Sequence, residues 1–327
     1  MSARDLAAGQ PLARWLVALA ATLAATLAAT FALTGPAPAQ NPAERKAVDS
    51  CPTEGGCLVD AGSYRIILPQ VPAGRRSGAI LYFHGYQGSA DETIADQGLV
   101  GVAQRLGVAL IAADGMGAEG LGRTWSYPGS PGRNRDEFAY VGHVLDDVAR
   151  RFPVDPGRIM ASGFSQGGSM VWYLACRMPA RFAGFAPIAG AFWEPLPSGC
   201  AGPRPNLIHV HGVSDTTVPL AGRSLRSGYK QGDVFKSLAI LAPGGCTASW
   251  AADNWAADAR AADREAPADP PELTCRLASN CDGPARLELC LHSGGHIASA
   301  AWVERAWKLI MPQEAPPART GASLTFP

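Results

Sequence analysis

Short, unbroken apolar runs alternate along this chain with longer stretches whose apolar residues recur every three or four positions. The runs are AILYF (79–83), VALIAA (108–113), RIMASG (158–163), FAGFAPIAG (182–190), NLIHVHG (206–212) and RLELCLH (286–292), preceded by SYRIILP (63–69) and a turn over Pro69–Gly78. Runs this short with no polar face predict strands covered on both sides, as in a parallel sheet. Helical spacing marks 92–107, through Ile94, Leu99, Val102 and Leu106, and 136–152, through Phe138, Val141, Val144, Leu145 and Val148 with Pro153 closing it. Further helices are expected over 166–178 and 299–310. Strand and helix in alternation predict right-handed crossovers and one α/β domain, a mostly parallel central sheet with helices on both faces. Residues 243–282, rich in Ala, Asp, Pro and Trp, break the pattern. They predict a Cys-containing insertion, more in keeping with a variable surface excursion than with a pinned loop beside a site. The tail from Met311 is expected to be disordered.

The first forty residues differ in kind. Arg4 and Arg14 precede an apolar run of about nineteen residues, WLVALAATLAATLAATFAL, followed by TGP and by Ala37-Pro38-Ala39. Small residues at those offsets predict a signal peptide over 1–39, with 40–327 as the exported domain. The run is also long enough to span a bilayer, so an uncleaved anchor is the competing reading. Cysteine usage agrees with export: eight cysteines, all beyond residue 50, with no Cys-x-x-Cys. They predict up to four disulfides in an oxidising compartment and no metal site. Cys51 with Cys57 and Cys176 with Cys200 are the local pairings, leaving Cys246, Cys275, Cys281 and Cys290 to hold the late segment.

Hydrophobic residues make up 47% of the chain and charged ones 17%, the balance of a folded globular protein. Lys plus Arg and Asp plus Glu total 28 each, without long runs of either sign, which argues against a nucleic-acid partner or an anionic membrane. No protein partner is predicted.

The chemistry lies where strands end. Ser165 sits in Gly163-Phe164-Ser165-Gln166-Gly167, after one predicted strand and before a predicted helix. Gly-x-Ser-x-Gly alone is a weak signal, but a strand-to-helix turn of that composition is a nucleophile elbow. A serine hydroxyl needs an imidazole to take its proton and a carboxylate to orient the imidazole. His296, in the glycine-rich loop after the last predicted strand, is the best candidate, with His292 a near rival. His143 falls on a helix surface, and His209 and His211 share one face of a strand. Asp215, in HVHGVSDTTVP, gives the chain order Ser165, Asp215, His296; Asp114, Asp146, Asp155 and Asp233 fit that order or a loop position less well. The N–H groups of Gln166 and of Tyr86, with Gln87 second, are candidates for an oxyanion hole. His84 is expected to brace the HGYQGS loop. Trp125, Phe192 and Trp193 are candidates for an apolar substrate pocket, against ordinary core packing for the last two.

With these residues in place, YFHGYQGSA, the Trp125 that follows DG, VDPGRIMASGFSQGGSMVWYLAC, FAGFAPIAGAFW, HVHGVSDTTVPL and SGGH together resemble the secreted polyhydroxybutyrate depolymerase and feruloyl esterase-like family of α/β-hydrolases. The resemblance runs from about Tyr64 to about Trp307. It implies an α/β-hydrolase fold and a serine ester hydrolase, extracellular or periplasmic, with Ser165, Asp215 and His296 as triad and Trp125 near the cleft. No cofactor is implied. Hydroxyalkanoate oligomers are the implied substrates, with feruloyl or acetyl esters of plant polysaccharides as the alternative. The family often carries a Trp-Pro pair shortly after the histidine, where this chain has HIASAAW. A serine peptidase or a non-catalytic binding protein on the same scaffold are the remaining readings. With no further domain after the closing helix, soluble oligomers or small aryl esters are expected in preference to crystalline polymer.

Overall fold

The computed structural model describes residues 51 and 56–311, apart from 119–121, 133–134, 226–227, 243–245, 247–269 and 282. The signal-peptide reading of 1–39, most of the 243–282 insertion and the tail after Met311 lie outside them.

Nine strands form one sheet. In chain order its members are β1 (Cys57–Val59), β2 (Gly62–Ile67), β3 (Ser77–Phe83), β4 (Ala109–Ala113), β7 (Val154–Phe164), β8 (Gly184–Ile188), β9 (Leu207–Gly212), β12 (Thr274–Leu277) and β13 (Leu287–His292). Two short ribbons lie outside it: β5 (Met116–Ala118) with β6 (Gly122–Thr124), and β10 (Arg223–Ser224) with β11 (Lys230–Gln231). The sheet order is β1-β2-β4-β3-β7-β8-β9-β13-β12. Its six inner strands are parallel, and both edges are antiparallel. The continuous apolar runs therefore occupy the centre, where β3, β4, β8, β9 and β13 are buried along their whole length. SYRIILP, expected as a strand, supplies β2, an antiparallel strand next to the edge.

Among the described residues six α-helices flank the sheet: α1 (Ala90–Ala95), α2 (Gln97–Leu106), α3 (Glu137–Arg151), α4 (Gln166–Arg177), α5 (Val234–Leu241) and α6 (Ala300–Ile310). The buried side chains divide into two clusters, α3, α4 and α5 packing into one and α2 and α6 into the other, so both faces are covered. The stretch 92–107, expected as a single helix, is broken at Asp96. Its backbone is extended, and its carboxylate accepts from the N–H groups of Gly98 and Leu99, capping α2 just as α1 ends. Apolar spacing carries across such a break and does not reveal it.

The four described disulfides are Cys51–Cys57, Cys176–Cys200, Cys246–Cys281 and Cys275–Cys290. The last joins directly opposed residues of β12 and β13. The described end of the 243–282 segment is thus an edge strand of the main sheet, more integral than a surface excursion. Parallel inner strands with crossover helices, and a tight turn from the central strand β7 into α4, make this an α/β-hydrolase fold, with loop clefts at the carboxyl ends of the strands.

Candidate active site

Ser165 links β7 directly to α4. Its backbone has φ 58° and ψ −119°, a region that side chains rarely adopt, and its N–H donates to Ile188 O at 3.0 Å. The flanking glycines make the turn possible through lack of bulk. A Cβ on Gly163 would stand 2.7 Å from Phe83 O, and one on Gly167 would stand 2.0 Å from the same oxygen. The elbow is therefore wedged against the end of β3, and its hydroxyl projects above the sheet.

The other two predicted residues meet it there. Ser165 Oγ lies 2.8 Å from His296 Nε2, and His296 Nδ1 lies 2.7 Å from Asp215 Oδ2. With the carboxylate accepting from Nδ1–H, Nε2 is left as the acceptor for the serine hydroxyl. Asp215 Oδ1 accepts from the N–H groups of Thr217 and Val218, both at 2.8 Å. Burial alone would raise the Asp215 pKa, but the His296 and Val218 hydrogen bonds and the nearby imidazoles outweigh it and hold the carboxyl below its usual range. The acid is thus ionised where the arrangement needs it. The loops bearing Asp215 and His296 are stitched together, with Val213 N–H on His292 O and Ser214 N–H on Gly294 O. The ring of Phe164 braces His296 at a centroid distance of 4.7 Å.

The remaining histidines have other surroundings. His292 is buried against Trp302, and its Nδ1 accepts from Gly294 N–H; burial and the neighbouring His211 lower its pKa to about 4. His209 Nδ1 faces Pro187 O at 2.9 Å, His209 Nε2 faces His211 Nδ1 at 2.9 Å, and His211 Nε2 faces Val218 O at 2.7 Å. These three contacts call for one N–H more than two neutral rings carry, while burial, above all, lowers both pKa values. The pair backs Asp215 from below, His211 Nε2 being 3.6 Å from its Oδ2. His143 lies on the outer part of α3 near Asp60 O.

The alternative carboxylates are occupied elsewhere. Asp114 pairs with Arg123, Asp146 with Arg181, and Asp155 and Asp233 accept from nearby backbone N–H groups. The Cys275, Glu288 and Cys290 grouping has ligand-like spacing, but its cysteines form a disulfide and Glu288 takes Arg286 and Arg305. Among the described residues it offers no metal centre.

Gln166 and Tyr86, whose N–H groups are the oxyanion-hole candidates, both line the cleft that contains Ser165. The Gln166 N–H belongs to the first turn of α4 and has no intrahelical partner. Of the two candidates in the β3 loop, Gln87 N–H is consumed by Arg123 O at 2.9 Å, which leaves Tyr86. The loop is braced by His84, whose Nδ1 donates to Gly85 O at 2.7 Å and whose Nε2 accepts from Gly115 N–H at 2.9 Å. Trp125, expected beside substrate, is fully buried; its indole N–H donates to His84 O, so it supports the loop from behind. Phe192 is likewise core, against Trp172 and Tyr173. Trp193 does line the cleft, a hollow of about 410 Å³ that also contains Tyr86, Ser165, Gln166, Ser169 and Val218. Its outer wall, Arg223, Leu225, Tyr229 and Gln231, was not foreseen. Its only sequence trace is the Gly228 turn between two short polar strands.

A serine hydroxyl bonded to an imidazole that a buried carboxylate orients is an arrangement suited to acyl transfer. Residues 62–279 match the model of the esterase family described as "Putative esterase". The chain belongs to that family. It is 34% identical over 198 residues to "Putative esterase NocK" of Nocardia uniformis subsp. tsuyamanensis, a match covering 56% of this chain and 54% of that protein. It is 25% identical over 241 residues to feruloyl esterase B of Piromyces equi, covering 71% of this chain and 42% of that one. Over 128 residues it is 30% identical to poly(3-hydroxyalkanoate) depolymerase C of Paucimonas lemoignei, covering 31% of each. This esterase-family chain spans about half the length, or less, of these curated relatives.

Proposed function

We propose that the chain is an exported serine carboxylic-ester hydrolase acting on hydroxyalkanoate oligomers or similar esters. The observation that carries the reading is the unbroken line of hydrogen bonds from Ser165 through His296 to Asp215. Ser165 Oγ bonds to the ester carbonyl carbon as His296 Nε2 takes its proton. The oxyanion formed rests on the N–H groups of Gln166 and Tyr86, the first strengthened by the positive end of α4. The imidazolium, held against Asp215, then gives its proton to the departing alkoxide. Water attacks the acyl-enzyme with His296 again as base, and the acid and free serine result.

The cleft supports a substrate with an apolar body, since Tyr86, Pro131, Trp193, Val218, Leu225 and Tyr229 are among the residues that line it. Relatives named for feruloyl esters and for poly(3-hydroxyalkanoate) make these the two acyl classes to compare. Four disulfides, together with the leader features of the first 39 residues, support export to an oxidising compartment.

The test is hydrolysis of a p-nitrophenyl short-chain ester, methyl ferulate and 3-hydroxybutyrate oligomers by the wild type and Ser165→Ala. Cleavage by the wild type alone is expected, fastest on the oligomers; a folded wild type inert on all three contradicts the reading.

A further inference from the structure

The cleft beside Ser165 contains one charged side chain, Arg223, among walls that are otherwise apolar or neutral. Its position is built. Arg223 Nε donates to Gln231 Oε1 at 3.1 Å, and the two residues face each other across the β10–β11 ribbon. Gln231 is 5% exposed and is anchored in turn by a backbone bridge to Trp193. The ribbon closes tightly here: Gly222 has φ +71°, and a Cβ on it would lie 2.2 Å from Gln231 O.

With Nε engaged, the guanidinium's two Nη groups have no acceptor among the described residues, and no carboxylate lines the cleft. The nearby carboxylate of Glu194 is paired with Lys230. Several other arginines are paired with carboxylates: Arg65 lies on Asp91, Arg123 on Asp114, Arg135 on Glu137, Arg181 on Asp146 and Arg305 on Glu288. Arg223 is itself exposed, at the solvent side of the cleft, so its charge is partly screened by water; its Nε bond to Gln231 still fixes the guanidinium, and a planar fork with two free ends suits a carboxylate.

We propose that Arg223 is a specificity residue that binds a carboxylate of the substrate, so that the preferred esters carry a free acid group beyond the scissile bond. Acylated hydroxy acids with a free acid end are the class it fits. Rapid release of terminal units from short hydroxyacid oligomers follows, since each such chain ends in a carboxylate. The inference rests on the esterase reading above and narrows it.

Two matched pairs test it: 3-acetoxybutyrate against its amide, and p-nitrophenyl hydrogen succinate against its methyl ester. They place the charge on the alcohol and acyl sides respectively. In the wild type, kcat/KM for at least one anionic member exceeds that of its neutral partner by about tenfold at low salt, and the ratio shrinks as salt is added. Arg223→Gln brings that ratio towards one, and Arg223→Lys restores part of it. Equal rates within both pairs for the wild type overturn the assignment while leaving the esterase intact. A ratio that survives Arg223→Gln, both members slowing together, also overturns it. Failure to cleave any of the four esters overturns the esterase reading with it.

Discussion

Ser165, Asp215 and His296 follow β7, β9 and β13, three parallel strands of the main sheet, whereas Arg223, Leu225, Tyr229 and Gln231 belong to a two-stranded ribbon outside it. The first group is locked by backbone. Asp215 is held by two N–H groups, Ser165 by Ile188 O, and the loops of Asp215 and His296 by each other. The second group depends on a ribbon whose register has only two residue pairs. Bond-making geometry needs placement to within about half an ångström, which buried strand ends provide. Substrate choice needs only a wall of suitable shape and charge, which a surface ribbon can change without disturbing the sheet. On the proposed function, the difference separates the groups that make and break bonds from those that select the substrate.

Changes in the two regions should therefore differ in kind. The largest effect is expected from Asp215→Asn, which keeps shape but removes the charge and favours the wrong imidazole tautomer: kcat should fall by on the order of 10³–10⁴ with the fold retained by circular dichroism. A loss below tenfold would place the orienting charge elsewhere. Gly167→Ala is expected to cost about 3 kcal/mol of stability in urea unfolding, because its Cβ would meet Phe83 O and His84 O at 2.0 and 2.5 Å. It should also lower kcat by pushing the β3 loop away from Ser165. An unshifted urea midpoint would show that the elbow is looser than these contacts imply.

His292 gives a pH signature. Its folded pKa of about 4 lies below the ordinary 6.5, so between those values the unfolded chain binds more protons than the native one. Stability therefore rises with pH across that window; the contribution is complete above about 6.5 and lost below about 4, worth about 3 kcal/mol in all. Buried His84, His209 and His211 shift in the same direction and steepen the dependence. His292→Asn should flatten the difference in unfolding free energy between pH 7 and pH 4.5, whereas an equal difference in the variant would assign the effect to the other rings. The smallest effect is expected at the ribbon: Tyr229→Ala should raise KM roughly fivefold or less with kcat little changed. A kcat loss approaching that of Asp215→Asn would erase the distinction between the two regions.

The same division explains what the sequence disclosed. Buried parallel strands are short apolar runs, so AILYF, VALIAA and NLIHVHG were legible, and Ser165, Asp215 and His296 each follow such a run within a few residues. The break at Asp96 was hidden because a side-chain cap leaves the apolar spacing intact. Trp125 was misplaced because an aromatic beside a glycine loop can face either way, and only the Nε1–H bond to His84 O determines which. The ribbon was invisible because its strands are two residues long and polar, without the alternation that identifies longer ones. The residues proposed to select substrate are thus the hardest to find, since they belong to no periodic element.

The most direct measurement is labelling of the mature protein with an aryl fluorophosphonate, read by intact mass and by mapping the modified peptide. One adduct per chain on Ser165 is expected, formed at least a hundredfold more slowly in His296→Ala. An adduct on another residue, or none on a folded protein that still cleaves esters, would contradict the role given to Ser165.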